Sequence, residues 1–345
     1  MTKTRILLTG ADTLTGSQVL AQLLSYDDFS VRAVVRSAQA AQVLQRHRRS
    51  DSATLDCFTV AKRQSTTPGN LAPALHDPHD PFHAVVHILE AQSSDEADCL
   101  ARFIKIDTET IIDFLRSVQH ISPAVHSDRL PGHASSERSS SSASDGDYIL
   151  AASQASKNVI NDAVLSWIRE SRAQFDLVFI TAPSIYGPAV HSLENSSDLT
   201  ETNRRIWNVC SNEFLDQAVP SMHGLDHFAD VRDVADAAVR SLFISKASNK
   251  CLVLSAGVMP SGSEIARLIV ASFPELQGRV KLKRCPPRRS HNEDPPPPLD
   301  FLETYLLSTV LGITKLRSAE ATITDTVRQM LDLQRRKAWR SITQD

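Results

Sequence analysis

No stretch of the chain approaches the run of about 20 apolar residues that a membrane-spanning helix needs, and Met1–Arg5 does not read as the start of a signal peptide. An excess of charge is also missing. The 37 Lys and Arg residues nearly balance 40 Asp and Glu, leaving a formal charge of −3. That gives no electrostatic ground for expecting nucleic acid or a membrane surface as partner. Cysteine is sparse: Cys57, Cys99, Cys210, Cys251 and Cys285 are odd in number and scattered, with no paired spacing. They read as buried thiols of a cytoplasmic, reducing compartment rather than as disulfides or a metal site. His87, His120 and His126 have no metal-ligand spacing either and read as strand-end or loop residues, so no metal is expected. What the chain does have is length, 345 residues, and 41% hydrophobic residues. These suffice for one large α/β domain and a smaller lobe.

The stretch that organises the chain is Arg5–Ser37, RILLTGADTLTGSQVLAQLLSYDDFSVRAVVRS. Its spacing predicts a strand over Arg5–Leu8, a tight turn at Thr9-Gly10, and a helix from about Leu14 with Val19, Leu20, Leu23 and Leu24 on one face. A second β-branched strand follows at Val31–Val35. Such a unit sets a helix N-terminus beside the end of a buried strand, where free amides and the helix dipole favour a pyrophosphate. Gly10 supplies the turn and Gly16 lets helix and strand pack closely, whereas the middle glycine of the usual dinucleotide pattern is replaced by Thr13. Thr9, Gly10, Thr13, Leu14 and Gly16 are therefore the candidate cofactor contacts. At the end of the second strand stand Arg36 and Ser37, where an NAD-preferring site carries an acid. A basic residue there suits a 2′-phosphate, so NADP(H) is favoured over NAD.

Further along, Ala38–Arg49 reads as a helix, Leu55–Val60 as a third strand, Lys62–Pro81 as a turn-rich connection and Phe82–Leu89 as a fourth strand. Leu89 and Glu90 follow it, a bulky side chain and a carboxylate that disfavour a nearby phosphate. Ala97–Val118 has helical spacing, Ile121–Ser127 can form a short strand weakened by Pro123, and Asp128–Asp147 is a Ser-rich loop. A long helix is expected over Ala151–Glu170, a strand over Phe175–Ile180 and a turn over Ser184–Pro188. Later come helices over Asn203–Leu215, from Ser263 through Val270 and over Ser318–Arg335, a strand over Lys250–Ser255, a further candidate strand over Arg279–Arg284 and an exposed Pro-rich loop over Cys285–Leu299. Alternating strands and helices indicate a mostly parallel sheet.

The ordered set LLTGADTLTGSQVLAQLL, VRAVVRS, VVHILEA, SQASKNVINDAV, FDLVFITAPSIYGPAV, FADVRDVADAAVRSL and LGITKLRSAEATITDTVRQMLDL resembles the extended short-chain dehydrogenase/reductases, in particular their dihydroflavonol-reductase-like, fungal-type members. The resemblance covers nearly the whole chain. It implies an α/β, Rossmann-type doubly wound parallel sheet with a small C-terminal substrate lobe: a nucleotide-binding domain over 1–188, and over 189–345 a mixed region that completes the sheet and forms the lobe. It also implies carbonyl reduction with NADPH. The family's catalytic lysine corresponds to Lys157, which would also touch the cofactor ribose. Four residues earlier, where the family has its tyrosine acid, stands Ser153, and the upstream serine corresponds to Ser127 or Asp128. A serine hydroxyl is shorter and far less acidic than a phenol whose pKa a lysine lowers. Tyr148, just before the helix, is a second candidate acid, and Asp230 or Asp233 is expected to cap a helix.

The expected function is NADPH-dependent reduction of a small carbonyl compound, in secondary metabolism, with an atypical acid. The alternative is a non-redox isomerase, cyclase or dehydratase of the same fold, or an inactive ligand-binding relative. A small-molecule substrate and a monomer or homodimer are expected.

Overall fold

The computed structural model describes residues 3–46, 54–60, 70–77, 81–88, 100–121, 162–190, 198–211, 227–280 and 301–343. Packing groups the chain into two units. One comprises Met1–Gly10, Asp28–Gln42 and Thr54–Leu177; the other comprises Ala11–Asp27, Val43–Ala53 and Val178–Asp345.

The first unit is built on four parallel strands, β1 (Thr4–Thr9), β2 (Phe29–Val35), β3 (Thr54–Thr59) and β4 (Ala84–His87), in the order β3-β2-β1-β4. This is the first half of a Rossmann-type sheet, with β1 inside it as its apolar run requires. Ile6, Leu7 and Leu8 have no solvent contact. On one face Leu7 and Val34 pack with Leu71, Leu75 and Phe114. These belong to a turn-and-helix stretch, α3 (Ala72–Leu75), and to α4 (Leu100–Ile121). Within the sheet Arg5 and Arg32 each bond both Asp56 and Asp77, at 2.8–3.2 Å. Both guanidiniums also lie over the ring of Phe82, at 5.1 and 5.3 Å from its centroid. This network ties β1, β2 and β3 to the stretch that follows α3. A helix over residues 162–171, α5, completes the described part of this unit.

The second unit holds α1 (Leu14–Leu23), a parallel pair of β5 (Val178–Thr181) with β8 (Lys250–Val253), and a three-stranded sheet. In that sheet β6 (Ser184–Tyr186) runs parallel to β7 (His227–Asp230), which pairs antiparallel with β9 (Gly257–Val258). Its helices are α6 (Glu201–Ser211), α7 (Val231–Ser241), α8 (Gly262–Ser272), α9 (Phe301–Leu311) and α10 (Ala319–Thr343). One core gathers Tyr186, Ile206, Phe228, Ile265, Ile323 and Val327, and another gathers Ala229, Val234, Leu252, Leu254, Leu307 and Leu311. Ser261 and Glu264 start α8 with a reciprocal capping box. Between β2 and β3 lies α2 (Ala38–Arg46).

Several expectations change. Ser184–Tyr186 is a strand and not a turn, because Tyr186 is buried and the segment pairs with β7. Ile121 ends α4 instead of opening a strand, and His120 lies on that helix; residues 122–127 lie outside the described residues. Arg279 and Val280 are in a turn and bend, and residues 281–284 of the candidate strand lie outside the described residues. Of the cysteines, Cys210 is buried and its thiol is pushed up to about 12 by burial, whereas Cys251 is exposed. Helix α9 was not expected from its sequence. Among the described residues no helix is long and apolar enough to cross a membrane, and no cluster of metal-ligating side chains occurs.

Candidate functional site

The start of α1 carries the site's main feature. Gly10 has φ +66°, a left-handed conformation that glycine adopts without strain. Thr13, by contrast, is extended at φ −86° and ψ 169°, so the missing glycine is not required by the backbone there. Thr13 is instead the N-cap: its Oγ1 accepts from Gly16 N at 2.9 Å, and its carbonyl accepts from Ser17 N at 3.0 Å. The Leu14 and Thr15 amides have no acceptor among the described residues. The first turn carries no acidic residue. A helix start in this condition presents free amides and the positive end of its dipole to an anion.

In the first unit, the carboxyl ends of β1 and β4 are tied together. Thr9 Oγ1 lies 2.7 Å from His87 Nδ1 and accepts from Ile88 N at 3.2 Å. Thr9 thus spends its hydroxyl on β4. The His87 ring stacks on Phe114 at 4.8 Å. Burial pushes its pKa down to about 4, which keeps it neutral through the physiological range. Its Nε2 is buried and has no partner among the described residues. Arg36 follows β2 directly and is half-buried. The hydroxyl of Ser37 accepts from Ala40 N at 3.1 Å and so caps α2.

Lys157, Ser153, Ser127 and Tyr148 all lie outside the described residues, as do Leu89 and Glu90. Asp230 caps α7 as expected, accepting from Arg232 N at 2.8 Å. Asp233 instead bonds Arg317, through its backbone N at 2.7 Å and through its guanidinium. Its pKa is raised by burial, against the lowering effect of Arg317.

Sequence reasoning missed a second constellation in the unit that contains α1. The turn after β6 is held by side chains from three helices. Gln18 of α1 donates to Pro188 O at 2.8 Å, and the Asn203 amide exchanges two bonds with Gly187. The Gln329 amide exchanges two more with Ala189. No local pattern marks these residues, since up to 170 positions separate the partners.

No model of a known protein family matches the chain. It is 31% identical over 120 residues to an uncharacterised oxidoreductase of Schizosaccharomyces pombe and 28% identical over 179 residues to the ketoreductase AzaE of Aspergillus niger. These stretches are 35% and 52% of this chain but only 34% and 50% of the relatives' own lengths. In three dimensions the chain is similar to the yeast methylglyoxal/isovaleraldehyde reductase Gre2 complexed with NADPH. The TM-score is 0.69 at 17% identity, over 96% of this chain and 99% of that one. The chain therefore shares the Rossmann-type fold of that reductase.

Proposed function

We propose that the protein is an NADPH-dependent reductase of a small carbonyl compound of secondary metabolism. The observation that carries this reading is the start of α1: a left-handed glycine, then amides without an acceptor among the described residues and a first turn with no acidic residue. The Gre2 structure, whose fold this chain shares and which holds NADPH, and the partial match to a ketoreductase support it. The cofactor would supply a hydride. Gly10, Thr13, Leu14 and Gly16 would seat its pyrophosphate and Thr9 would brace the strand end beneath it. The Arg36 guanidinium would pair with the 2′-phosphate, which distinguishes NADPH from NADH.

Residues 1–188 would carry the cofactor, and 189–345 would complete the sheet and form the substrate lobe, in a cytoplasmic monomer or homodimer. Lys157 would hold the ribose and lower the pKa of a neighbouring acid. Ser153 stands where that acid belongs and Tyr148 is the competing donor, with Ser127 orienting the substrate oxygen. The replacement of tyrosine by Ser153 is also what favours the second reading, a non-redox isomerase, cyclase or dehydratase, or a ligand-binding protein.

The test is titration with NADPH and NADH, followed by diketone turnover. NADPH should bind in preference to NADH, with slow wild-type turnover. Ser153→Tyr rebuilds a tyrosine–lysine pair one helical turn apart. It should raise the rate by a sizeable part of the roughly 10²–10⁴-fold that general acid catalysis supplies. Absence of NADPH binding would end the redox reading. Brisk wild-type turnover that survives Ser153→Ala and is lost in Tyr148→Phe would move the acid to Tyr148.

A further inference from the structure

The turn that follows β6 is tied down beyond the needs of a connection. Thr202 Oγ1 donates to Ile185 O at 2.6 Å. Gly187 N donates to Asn203 Oδ1 at 3.2 Å, and Asn203 Nδ2 returns a bond to Gly187 O at 2.7 Å. Ala189 N donates to Gln329 Oε1 and Gln329 Nε2 donates to Ala189 O, both at 2.8 Å. Between them, Pro188 O accepts from Gln18 Nε2 at 2.8 Å. Pro188 has no N–H to offer, so every backbone polar group from Gly187 to Ala189 is satisfied by a side-chain amide. The asparagine and one glutamine each imitate a rung of sheet pairing. Gly187 has φ +133°, and a Cβ there would stand 2.7 Å from Val231 Cγ1. No other residue fits that position without strain. Fixing two long glutamine side chains costs rotamer entropy that exposed turns do not ordinarily incur. What the expenditure secures is the position of the turn.

That position has a direction. The turn leaves the carboxyl end of β6, a strand parallel to β7, and ligands of parallel sheets bind beyond the carboxyl ends of their strands. Gln18 sits two residues after Gly16, so its bond holds Pro188 within one side chain's reach of the opening turns of α1. A dinucleotide with its pyrophosphate on the start of α1 carries one nucleoside to either side of it.

We propose that Gln18 and Gln329 are positioning residues for the nicotinamide half of the dinucleotide. With Asn203 they hold the 187–189 turn as a rigid wall that this half packs against. The inference rests on the NADPH reading of α1.

The experiment uses the full chain and its Gln18→Ala, Gln329→Leu and Gln329→Glu variants. Binding of NADPH is compared with binding of adenosine 2′,5′-bisphosphate, which carries the adenosine phosphates but no nicotinamide, and amide exchange at Ala189 is followed without ligand. Gln18→Ala and Gln329→Leu should weaken NADPH about tenfold and leave adenosine 2′,5′-bisphosphate within twofold. Gln329→Leu should abolish protection of the Ala189 amide, and Gln18→Ala should keep it. Gln329→Glu preserves the acceptor for Ala189 N, so it should restore that protection and part of the affinity; it also serves if the leucine variant does not fold. Unchanged NADPH affinity despite lost protection would overturn the proposal, as would equal weakening of both ligands. Wild-type protein that binds neither ligand would overturn the cofactor reading itself, and the wild-type arm reports that failure alone.

Discussion

Two helices that pack side by side, α1 and α7, begin in opposite ways. Helix α7 follows β7 without a gap, and its cap is Asp230, a carboxylate with no solvent contact. That carboxylate accepts from the Arg232 backbone at 2.8 Å, from the Arg232 guanidinium at 2.8 and 2.9 Å and from Thr322 at 2.7 Å. Asp233 adds a second acid in the first turn. Helix α1 is capped by a neutral threonine, Thr13, and has no acid in its first turn. The positive end of a helix dipole must be answered somewhere. In α7 the chain answers it internally, and the result is a structural joint that binds α10 through Thr322 and, by way of Arg232 at 2.6 Å, through Asp325. In α1 the first turn holds no acid, and the Leu14 and Thr15 amides have no acceptor among the described residues.

The largest expected effect comes from breaking the α7 side. Asp230→Ala leaves the guanidinium of Arg232 facing Asp325 alone and removes the cap. Loss of one member of a buried pair costs about 3–5 kcal/mol, and thermal or urea unfolding should register it as a large drop in midpoint. A loss under 1 kcal/mol would mean that the joint is not structural. Next comes the conversion of α1 into a helix of the α7 kind. Thr13→Asp keeps a capping oxygen, so stability should hold, but the carboxylate would stand where the pyrophosphate belongs. Like charges about 4 Å apart at an effective dielectric of 20 repel by about 4 kcal/mol before screening. NADPH affinity measured by fluorescence should fall about 10- to 100-fold, and unchanged affinity would place the phosphates elsewhere. A smaller change, about tenfold, is expected from Arg36→Ala on NADPH, with NADH nearly unaffected; equal losses would show that Arg36 does not meet the 2′-phosphate. Smallest is Thr13→Ala, which removes only the cap. It should cost about 1 kcal/mol of stability and, because the backbone that seats the pyrophosphate stays, leave NADPH affinity within twofold; a larger binding loss would show that Thr13 meets the phosphates through its hydroxyl as well.

The contrast between the two helix starts bears on what a sequence can disclose. The β1–α1–β2 stretch was legible because its signals are local: β-branched runs, a glycine at a left-handed turn and an apolar helical face. The cap at Asp230 was legible for the same reason. Thr13 was noticed as an absent glycine, while the physical content of the position is an extended residue whose side chain closes the helix start. Helix α9, FLETYLLSTVL, is apolar around its circumference and so has no face for periodicity to reveal. The strand Ser184–Tyr186 is three residues long and followed by Gly187-Pro188, so its local chemistry is that of a turn; pairing with residues 228–230 decides otherwise. The amide clamps of Gln18, Asn203 and Gln329 carry no sequence signature at all, since glutamine and asparagine are ordinary surface residues and only the fold assembles them. The resemblance reached Lys157, Ser153 and Ser127, and the loop before the helix offered Tyr148; all four lie outside the described residues.

The clamped turn also has a history within each molecule as it is made. Ala189 and Gln329 are 140 residues apart in the chain. At the usual 5–20 residues per second of synthesis, roughly 7–28 s pass between the appearance of the turn and the appearance of the helix that fastens it. During that interval Gln18 and Asn203 are available, but the backbone of Ala189 is not yet paired with its glutamine. The turn is therefore set last, after its strand and its neighbours. A nascent chain acquires the start of α1 well before the turn beside it is fixed, and the last two bonds of that turn arrive only with the C-terminal helix.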